Sequence, residues 1–562
     1  MKSHKFVDAM AINTIEEGFT HRARDLVREK HMRKIISHRT VLTTLFLCLF
    51  AHGYRFANNI LSHDALLEVV QDDSAWQIAL GRIMNPVLIL LRGGICSPWL
   101  ICFLETAWLI LTVCFLADLL DIRSAARITV LSGIVVCSHA FISTNAAFLQ
   151  CADFYAFALF MSVLGVWLMK KGGMLKTVAG IICLVLCLGT YQAYICVTLA
   201  LIVMLAIRSL SDGEYWHSTA RNLFKFALIL FASAFLYLVG WKMLQRILGI
   251  WTADTYNGMA HLGDFSDISF VSVIITCYKN FLKFFTNPTP FSTMTFRNIN
   301  MSILWEWLIR LVNAAIFVKL GINLYKVNRK NRYAGSSDGG LRQQWICGNI
   351  LMIFLIVVFP LCCNFVCLMS KGMEHDLMTF AFIFPYILAI MFDDNAAELD
   401  SSPRINTSNV STHSVRRLIR YATPILLSVI IWSNVVYANQ TYYKKSLQEQ
   451  SAISLMTRIV NDIEHHEGYI PGVTQVAFIG SFENSPYTVE LSGFTDITPY
   501  GMGRTALTYF GTDYAMLKYV INVNMNLTRV DDLNAEMSSM PCYPVDGSIN
   551  YIGDILIIKI SD

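Results

Sequence analysis

The stretch VLTTLFLCLFAHGYRF, residues 41–56, is apolar, and the polar stretch NNILSHDALLEVVQDDSAWQIALGRIMNP, residues 58–86, follows it at once. A helix of about 20 apolar residues is long enough to cross a bilayer, so the first stretch predicts a membrane span. The second stretch sets a histidine, several acidic residues and an arginine directly beside that span. Charges next to a bilayer are costly unless water, a partner or a substrate meets them. The two stretches together predict a membrane protein that does chemistry at the membrane surface.

The composition of the whole chain agrees with this interpretation. Of 562 residues, 55% are apolar and 15% are charged, and the mean hydropathy is +0.49. Soluble domains carry about 25% charged residues, so the predicted fold class is an α-helical polytopic membrane protein. The fifteen cysteines lie mostly in apolar stretches, where a free thiol behaves as a small hydrophobe. No zinc spacing, phosphate-binding glycine loop or basic–aromatic module is evident, so no nucleic-acid partner is predicted.

Apolar stretches of similar length recur along the chain and predict about eleven transmembrane helices. They lie at residues 41–57, 97–120, 127–146, 152–169, 175–189, 191–208, 222–248, 301–325, 345–368, 377–393 and 421–438. Residues 1–40 are basic, which before a first span is typical of the cytoplasmic side. The alternative for this segment is a surface helix on anionic lipid. No cleavable signal peptide is predicted.

The charged loops test the count of spans. Lys and Arg recur in every second loop, as in KVNRKNRYAGSSDGGLR, residues 326–342. Each of these loops falls on the cytoplasmic side if the N-terminus is inside. The alternation predicts an odd number of spans, a cytoplasmic N-terminus and a C-terminus on the outer face.

Two outer-face loops do not fit simple spans. In the loop 58–96, prolines and glycines interrupt residues 64–95, which predicts a helix that dips along the membrane interface. The loop 249–300 contains SVIITCYKNFLKFF, residues 272–285, an amphipathic segment. The predicted membrane domain, with both loops, covers residues 41–438.

From residue 439 the composition becomes that of a soluble domain. Helical spacing of apolar residues is seen at 441–468 and 506–525, and strand-like runs lie at 473–480 and 551–560. Residues 439–562 therefore predict a small extracytoplasmic α/β domain, within the usual range of domain sizes.

Asp64 is the first candidate for chemistry, with His63 beside it. Glycosyl transfer needs a base that takes the proton from an acceptor hydroxyl while the sugar carbon is attacked. A carboxylate at the membrane surface is well placed for that role. The alternative is a helix cap, because Ser62, His63 and Asp64 could begin the next helix.

Further candidates follow at the outer ends of spans. Arg82 and Arg92 could each hold a lipid-linked phosphate through two hydrogen bonds, and the alternative is snorkelling toward headgroups. Asp153 enters a membrane segment, where an ionisable residue is a functional hypothesis by default. Tyr191 and Gln192 form a candidate sugar-contact pair, but an interfacial aromatic belt explains the tyrosine as well.

A second charged segment, SKGMEHDL, follows the ninth predicted span. Lys371 could hold a phosphate, and His375 could act as a donor or a base. Glu374 and Asp376 are candidate substrate contacts. The alternative is an ordinary solvated turn between spans. No cage of carboxylates is evident, so no metal ligands and no cofactor are assigned, and dependence on a divalent metal stays open.

With these residues in view, the chain resembles the type II O-antigen glucosyltransferases of bacteria and phages. These are polytopic enzymes of the C-type membrane glycosyltransferase class (GT-C). The resemblance rests on the first-loop pattern NNxLSHDA…GR, on ANQTYYKKSLQEQSAISLMTRIVNDI leading into VAFIG, and on the ending MPCYPVDGSINYIGDILIIKISD. It spans nearly the whole chain and implies a GT-C-like membrane domain.

The resemblance also implies an activity. A hexose, most simply glucose, would pass from a polyprenyl-phosphate carrier to O-antigen, lipopolysaccharide or another surface glycan. The site would lie on the outer face of the bacterial cytoplasmic (inner) membrane, and the product would change the serotype. The implied mechanism is an inverting single displacement with Asp64 as general base. The family often carries an arginine in the loop after the late span, where this chain has Lys371 as the substitute.

Two other functions remain open from the sequence. A flippase or transporter of a lipid-linked sugar is expected to show internal repeats and charges near mid-span. Here the charges lie at outer span ends and no repeat is evident. A non-catalytic glycan-assembly partner, whose outer domain binds glycan, is the other alternative.

Overall fold

The computed structural model describes residues 35–60, 63–253, 270–287, 295–296, 299–334, 339–370, 372, 374–400, 410–491, 493–494, 497, 499, 501–508, 511–530 and 533–562. The chain is mostly helical, with many apolar helices, as the sequence predicts for a polytopic membrane protein. The predicted N-terminal segment 1–40 falls mostly outside the described residues, and so does the candidate Lys371.

Nineteen α-helices can be numbered in the described part of the chain. They are α1 His38–Ala57, α2 His63–Leu67, α3 Ser74–Ala79, α4 Asn85–Leu91, α5 Pro98–Leu119, α6 Ala125–Val136, α7 His139–Ala147, α8 Ala152–Lys171, α9 Met174–Thr190, α10 Ile195–Ser211, α11 Trp216–Leu248, α12 Phe270–Thr286, α13 Met301–Ala334, α14 Gly339–Cys363, α15 Phe365–Met369, α16 Phe384–Asp400, α17 Val410–Glu464, α18 Thr512–Met516 and α19 Ala535–Ser539. Short 3-10 segments lie at Leu149–Cys151, Gln192–Tyr194, Asp376–Ile383 and Phe482–Asn484.

Ten helical segments of the described chain are long and apolar enough to cross a membrane. The shorter helix α9 corresponds to the remaining predicted span. Its 17 residues would rise about 26 Å at 1.5 Å per residue, slightly less than a bilayer core of about 30 Å. Every predicted span thus has a helical counterpart, while the number that cross the membrane stays a prediction.

The helices differ in how deeply they lie within the bundle. The apolar part of Asp376–Asp393 is 89% buried inside the protein, and that of Leu149–Lys171 is 83% buried. In α11 and α14, only 17% of the residues in the apolar part are buried inside the protein. A helix that is apolar but largely exposed needs an apolar solvent, so α11 and α14 form the lipid-facing periphery and the other two segments form the centre.

The first loop folds differently from the prediction of one interfacial helix. It contains three short helices, α2, α3 and α4, because the chain doubles back on itself: Val70 bridges to Ile95, and the Gln71 amide donates to the Gly94 carbonyl at 2.8 Å. Helix α4 fits the prediction of an interfacial helix, because its apolar side chains Leu90 and Leu91 are each 78% exposed.

Within the second outer loop, the predicted amphipathic segment is helix α12. Its buried residues recur every four positions along one face and comprise Val273, Cys277, Phe281 and Phe285. This periodicity is that of a helix with one face against the protein. A short β-hairpin, β1 Thr295–Phe296 with β2 Ile299–Asn300, precedes α13. Residues 254–269, 288–294 and 297–298 of this loop lie outside the described residues.

The last membrane helix continues far beyond its apolar part. Helix α17 is 55 residues long, so the predicted boundary between residues 438 and 439 lies inside one continuous helix. The composition changes there because the helix leaves its apolar surroundings, whereas the backbone hydrogen bonding continues unbroken.

The C-terminal region beyond α17 contains a four-stranded sheet. The strands are β3 Gln475–Ile479, β4 Asn526–Leu527, β5 Ile549–Ile552 and β6 Ile555–Lys559, in the order β4-β3-β6-β5. Strand β3 is parallel to both neighbours, and β5 is antiparallel to β6. The run 551–560, predicted as one strand, contains the turn between β5 and β6.

The predicted helix 506–525 is wrong in extent. Among the described residues of this segment, only α18 and a π-helical turn, Leu517–Ile521, are helical. Gly511 precedes α18 at φ +91° and Asn522 follows the turn at φ +57°. Both values lie in the left-handed region, which a right-handed helix cannot include, so these two residues bound the helical part.

The C-terminal region packs directly on the first loop. Helix α18 contacts α2, and Leu66 of α2 is 1% exposed. Leu66 shares a hydrophobic core with Met456 of α17, Phe482 and Ala515. Helix α2 is therefore held between the membrane helices and the C-terminal sheet.

Candidate active site

The candidate site begins on α2, where the helix sets His63 and Asp64 at its first turn. The Nε2 atom of His63 lies 3.3 Å from Oδ1 of Asp64. The His63 ring is fully buried and meets Phe148 edge-on at 5.6 Å. The Asp64 side chain is 31% exposed. The buried imidazole therefore lies beside a carboxylate that a substrate can still reach.

The electrostatics around Asp64 suit a base. Burial raises the pKa of Asp64 to about 6, against a hydrogen bond from Gln150 and the positive charges of Arg82 and Lys445, which lower it. A general base works best with a pKa near the operating pH. Burial also lowers the pKa of His63 to about 3, assisted by the charge of Lys445, so His63 is a neutral ring at physiological pH.

Glu68, one helical turn after Asp64, is a carboxyl that the sequence analysis did not single out. Burial, together with the negative charge of the nearby Asp73, raises its pKa to about 7. Gln71 donates to Glu68 Oε2 at 3.0 Å. The spacing of four residues between Asp64 and Glu68 was the signal available in the sequence, because residues four apart share one helix face. We call His63, Asp64, Glu68 and Arg82 the first-loop cluster.

Arg82 lies against aromatic rings. Its guanidinium carbon is 5.4 Å from the centroid of the Tyr191 ring, and its charge acts on both Asp64 and Glu68. Tyr191 stacks on Tyr155 with 4.2 Å between ring centroids and is only 4% exposed. The predicted sugar contact Tyr191 is thus part of a packed aromatic group on which the arginine rests.

Gln192, the second predicted sugar contact, holds the first loop in place. Its amide nitrogen donates to the Leu80 carbonyl and to the Tyr237 hydroxyl, both at 2.9 Å. Tyr237 in turn donates to the Gly81 carbonyl at 3.0 Å. Gly81 adopts φ +80°, and a Cβ there would collide with Tyr237 and Gln192. The residue before Arg82 must therefore be glycine for this turn to form.

Asp153, predicted as catalytic, forms a buried ion pair with Arg92. Arg92 Nη1 donates to Asp153 Oδ1 at 2.6 Å, and the two side chains are 1% and 5% exposed. Arg92 also donates to the Gln150 carbonyl at 3.0 Å and to the Gln71 side chain. Arg92 therefore neither snorkels nor remains available for a phosphate, because Asp153 is its counter-ion.

The segment after α15 forms a second polar group, which we call the late-loop cluster: Glu374, His375 and Asp376. Glu374 Oε2 accepts hydrogen bonds from Asn364 at 2.6 Å and Asn280 at 3.3 Å. Burial raises the pKa of Glu374 and lowers the pKa of His375. A plain solvated turn does not have these properties, so this alternative is not supported. Lys371, which belongs to the same predicted site, lies outside the described residues.

Helix α7 connects the two clusters. Ser143 of α7 donates to Asp376 Oδ2 at 3.2 Å, and Phe148, which follows α7, meets His63. A row of rings makes a second connection, since Tyr191 meets Tyr194 and Tyr194 meets Phe380, each at 5.7 Å. The predicted residues from distant parts of the sequence thus lie on one continuous polar and aromatic framework. Within the described ranges, no group of three or more His, Cys, Asp or Glu residues is arranged to hold a metal ion.

A comparison with protein families decides the class of the protein. The family model described as Glucosyl transferase GtrII matches residues 53–392, more than half of the chain. The chain belongs to the GtrII glucosyltransferase family. The resemblance stated from the sequence is therefore confirmed. No curated protein matches the chain.

Membership of the GtrII family makes the protein a membrane glycosyltransferase that uses a sugar donor and a glycan acceptor. The matched segment contains both clusters, from His63 to Asp376. Lys445 lies beyond this segment, on α17, although its charge acts on Asp64. Lys445 does not stand out in the sequence, because two lysines after an apolar span are typical of an ordinary solvated exit from the membrane.

Proposed function

We propose that the protein transfers a hexose, most simply glucose, from a polyprenyl-phosphate-linked donor to O-antigen or another surface polysaccharide. In this proposal the transfer takes place on the outer face of the bacterial inner membrane and inverts the sugar carbon. The observation that carries it is Asp64: a partly exposed carboxylate whose pKa is raised by burial, with two cations acting on it.

The chemical step is a single displacement. The acceptor hydroxyl loses its proton to Asp64 while its oxygen attacks the anomeric carbon of the sugar. The bond from that carbon to the phosphate oxygen breaks, and the polyprenyl phosphate leaves with the electron pair. His63 is a buried, neutral ring beside the Asp64 carboxylate, and its proposed role is to position the base by packing against it.

The donor phosphate is proposed to bind Arg82, with Lys371 and His375 as further contacts. A guanidinium can grip phosphate through two parallel hydrogen bonds. The stacking of Tyr191 on Tyr155 beneath Arg82 supports this assignment, because a packed ring limits the positions that the arginine can adopt. Glu374 and Asp376 are proposed to contact hydroxyl groups of the sugar or acceptor, while Gln192 acts indirectly through the first loop.

The proposed topology has eleven spans, a cytoplasmic N-terminus and residues 439–562 outside. The core shared by Leu66 and the C-terminal region supports an odd count. Because the loop after the first span and the region after the last span pack together, they lie on one side of the membrane. An even number of crossings must then separate them, which makes the total odd.

Asp64→Asn tests the function. Purified protein in vesicles is supplied with polyprenyl-phosphate glucose and a lipid-linked glycan acceptor, and glucose on the glycan is measured. The wild-type protein should transfer, and Asp64→Asn should lose about 100-fold or more of the rate, the scale of a lost general base, while inserting normally. Transfer by Asp64→Asn at the wild-type rate would remove Asp64 from this role. Movement of the donor across the bilayer without any transfer would favour the flippase.

A further inference from the structure

Lys445 of α17 is a buried charge that acts on Asp64 of the first-loop cluster. Its side chain is 1% exposed, and its Nζ has no hydrogen-bond partner among the described residues. A buried ammonium without a partner is costly, because it has lost the hydration that it had in water. Such a group is retained in a folded protein most readily when a ligand compensates it.

The neighbouring residue, Lys444, is a buried lysine whose charge is compensated by hydrogen bonds and an ion pair. Lys444 is equally buried, at 1% exposure, but its Nζ donates to the carbonyls of Phe494 at 2.8 Å and Ile497 at 3.0 Å. It also lies 2.7 Å from Glu490 Oε1. Lys444 therefore joins α17 to the C-terminal region. Lys445, one residue later and facing another direction on the helix, makes no such connection among the described residues.

The charges that act on Lys445 come from four parts of the chain. They are Glu449 on the same helix, Arg55 on α1, Glu483 in the C-terminal region and Asp64 on α2. Glu483 already accepts a hydrogen bond from the Arg504 amide at 2.7 Å. The acidic groups therefore balance Lys445 only across a distance, and none of those described is hydrogen-bonded to its Nζ.

A second unpartnered atom belongs to a residue that contacts Asp64. Gln150, which donates a hydrogen bond to Asp64, is 2% exposed, and its Oε1 has no partner among the described residues. Asp64 is thus acted on by a buried cation of α17 and hydrogen-bonded by a buried glutamine before α8, and both of these side chains have unused hydrogen-bonding capacity. This is the arrangement expected of a binding site for a polar ligand.

We propose that Lys445 is a phosphate-binding residue whose ammonium holds an oxygen of the lipid-linked donor phosphate, on the far side of the reacting sugar carbon from Asp64. The inference rests on the proposed polyprenyl-phosphate donor and adds a residue outside the family-matched segment.

The geometry of the displacement favours this role for Lys445. In an inverting reaction, the incoming and leaving oxygens lie on opposite sides of the sugar carbon. A cation that serves the leaving phosphate must be close enough to act on the base electrostatically, yet it must not be hydrogen-bonded to the base. Lys445 meets both conditions, because its charge acts on Asp64 without a hydrogen bond between them.

The negative charge on the phosphate increases during the reaction, and this increase is what Lys445 would stabilise. The donor phosphate is a diester with a single negative charge. After transfer, the polyprenyl phosphate is a monoester with a charge of about −1.5 to −2 at pH 7. A fixed cation in a water-poor site stabilises such developing charge more than it stabilises the substrate. Lys445 would therefore bind the product phosphate and lower the barrier to its departure.

The test compares Lys445→Met with Lys444→Met in the purified full-length protein. Binding of polyprenyl phosphate is measured by thermal shift, and transfer from polyprenyl-phosphate glucose is measured in vesicles. Lys445→Met should weaken binding of polyprenyl phosphate about 10-fold or more, as for a lost charged hydrogen bond. Ligand-free Lys445→Met should be as stable as the wild type or more stable, because an uncompensated charge is removed.

The control Lys444→Met should lower the melting temperature and leave the apparent donor constant near the wild-type value. Lys445→Arg, which keeps the charge, should recover part of the binding.

Three outcomes would decide against the proposal. Equal binding of polyprenyl phosphate by Lys445→Met and wild type would overturn the assignment of Lys445 alone, provided that the wild type transfers glucose. A shifted pH profile with an unchanged donor constant would show that Lys445 acts only on the ionisation of Asp64. No transfer from polyprenyl-phosphate glucose by the wild type would overturn the proposed donor itself, and with it the lipid phosphate as the ligand of Lys445.

Discussion

Two charged groups beside the first loop differ in how completely they are compensated. Arg92 and Asp153 are buried together, and Arg92 has further acceptors in Gln71 and the Gln150 carbonyl. Asp64 is partly exposed, and the charges of Arg82 and Lys445 lower its pKa. Apart from Arg92 Nε, the first group has its hydrogen bonds within the protein. We propose that charge at the membrane surface serves stability in the first group and chemistry in the second.

Removing one partner of the buried Arg92–Asp153 pair should give the largest effect, a loss of stability. Asp153→Asn leaves the Arg92 guanidinium buried without a counter-ion, so we expect the free energy of unfolding to fall by about 3–5 kcal/mol. Thermal unfolding in detergent measures the change. The double variant Arg92→Met with Asp153→Leu is the control and should recover part of the loss. A single variant as stable as the wild type would mean that another anion compensates Arg92.

The pH dependence of transfer tests the proposed role of Asp64, the partly exposed carboxylate of this comparison. Burial raises the pKa of Asp64 to about 6, and a base must be ionised to accept a proton. We therefore expect kcat/KM to be level above pH 7 and to fall about tenfold per pH unit well below pH 6. The measurement is a rate profile with limiting donor. A profile that stays level down to pH 5 would show that the base has an ordinary carboxylate pKa or is another residue.

Replacing the cation on the aromatic group should have a smaller effect. Arg82→Ala should raise the apparent donor constant about 10-fold, the scale of a lost charged hydrogen bond. Arg82→Lys should recover only part of this, because an ammonium cannot form the two-pronged contact of a guanidinium. Steady-state kinetics with varied donor and acceptor separates the roles. If only the acceptor constant changes, Arg82 faces the glycan and the phosphate site lies elsewhere.

The membrane part of the fold could be predicted from local composition. Each predicted span has a helical counterpart because about 20 apolar residues in sequence leave the backbone few alternatives in lipid. The breaks within spans were harder to predict. The third predicted span divides into α6 and α7 at Cys137 and Ser138, where the sequence has neither proline nor glycine. A tertiary contact meets the chain at this break, since the Asn434 side chain donates to the Cys137 carbonyl at 2.9 Å.

The candidate site could be predicted only where its residues are close in sequence. His63, Asp64 and Arg82 stand in one polar stretch, which identified them. The pairing of Arg92 with Asp153 depends on the packing of α8 against the first loop, and the approach of Lys445 depends on the path of α17. Such long-range contacts leave no periodicity in a single sequence, which is why neither the pairing of Asp153 with Arg92 nor the approach of Lys445 was predicted.

The position of Leu66 in the C-terminal core has a consequence for biosynthesis. The ribosome makes Leu66 early, whereas Met456, Phe482 and Ala515, its partners in that core, are made near the end. Contacts between residues so distant in sequence form late, because the loop between them must first be closed. Helix α2 therefore lacks its packing partners from the C-terminal region through most of synthesis. A ribosome that stops before residue 456 would leave a membrane-inserted chain in which α2 lacks these core partners.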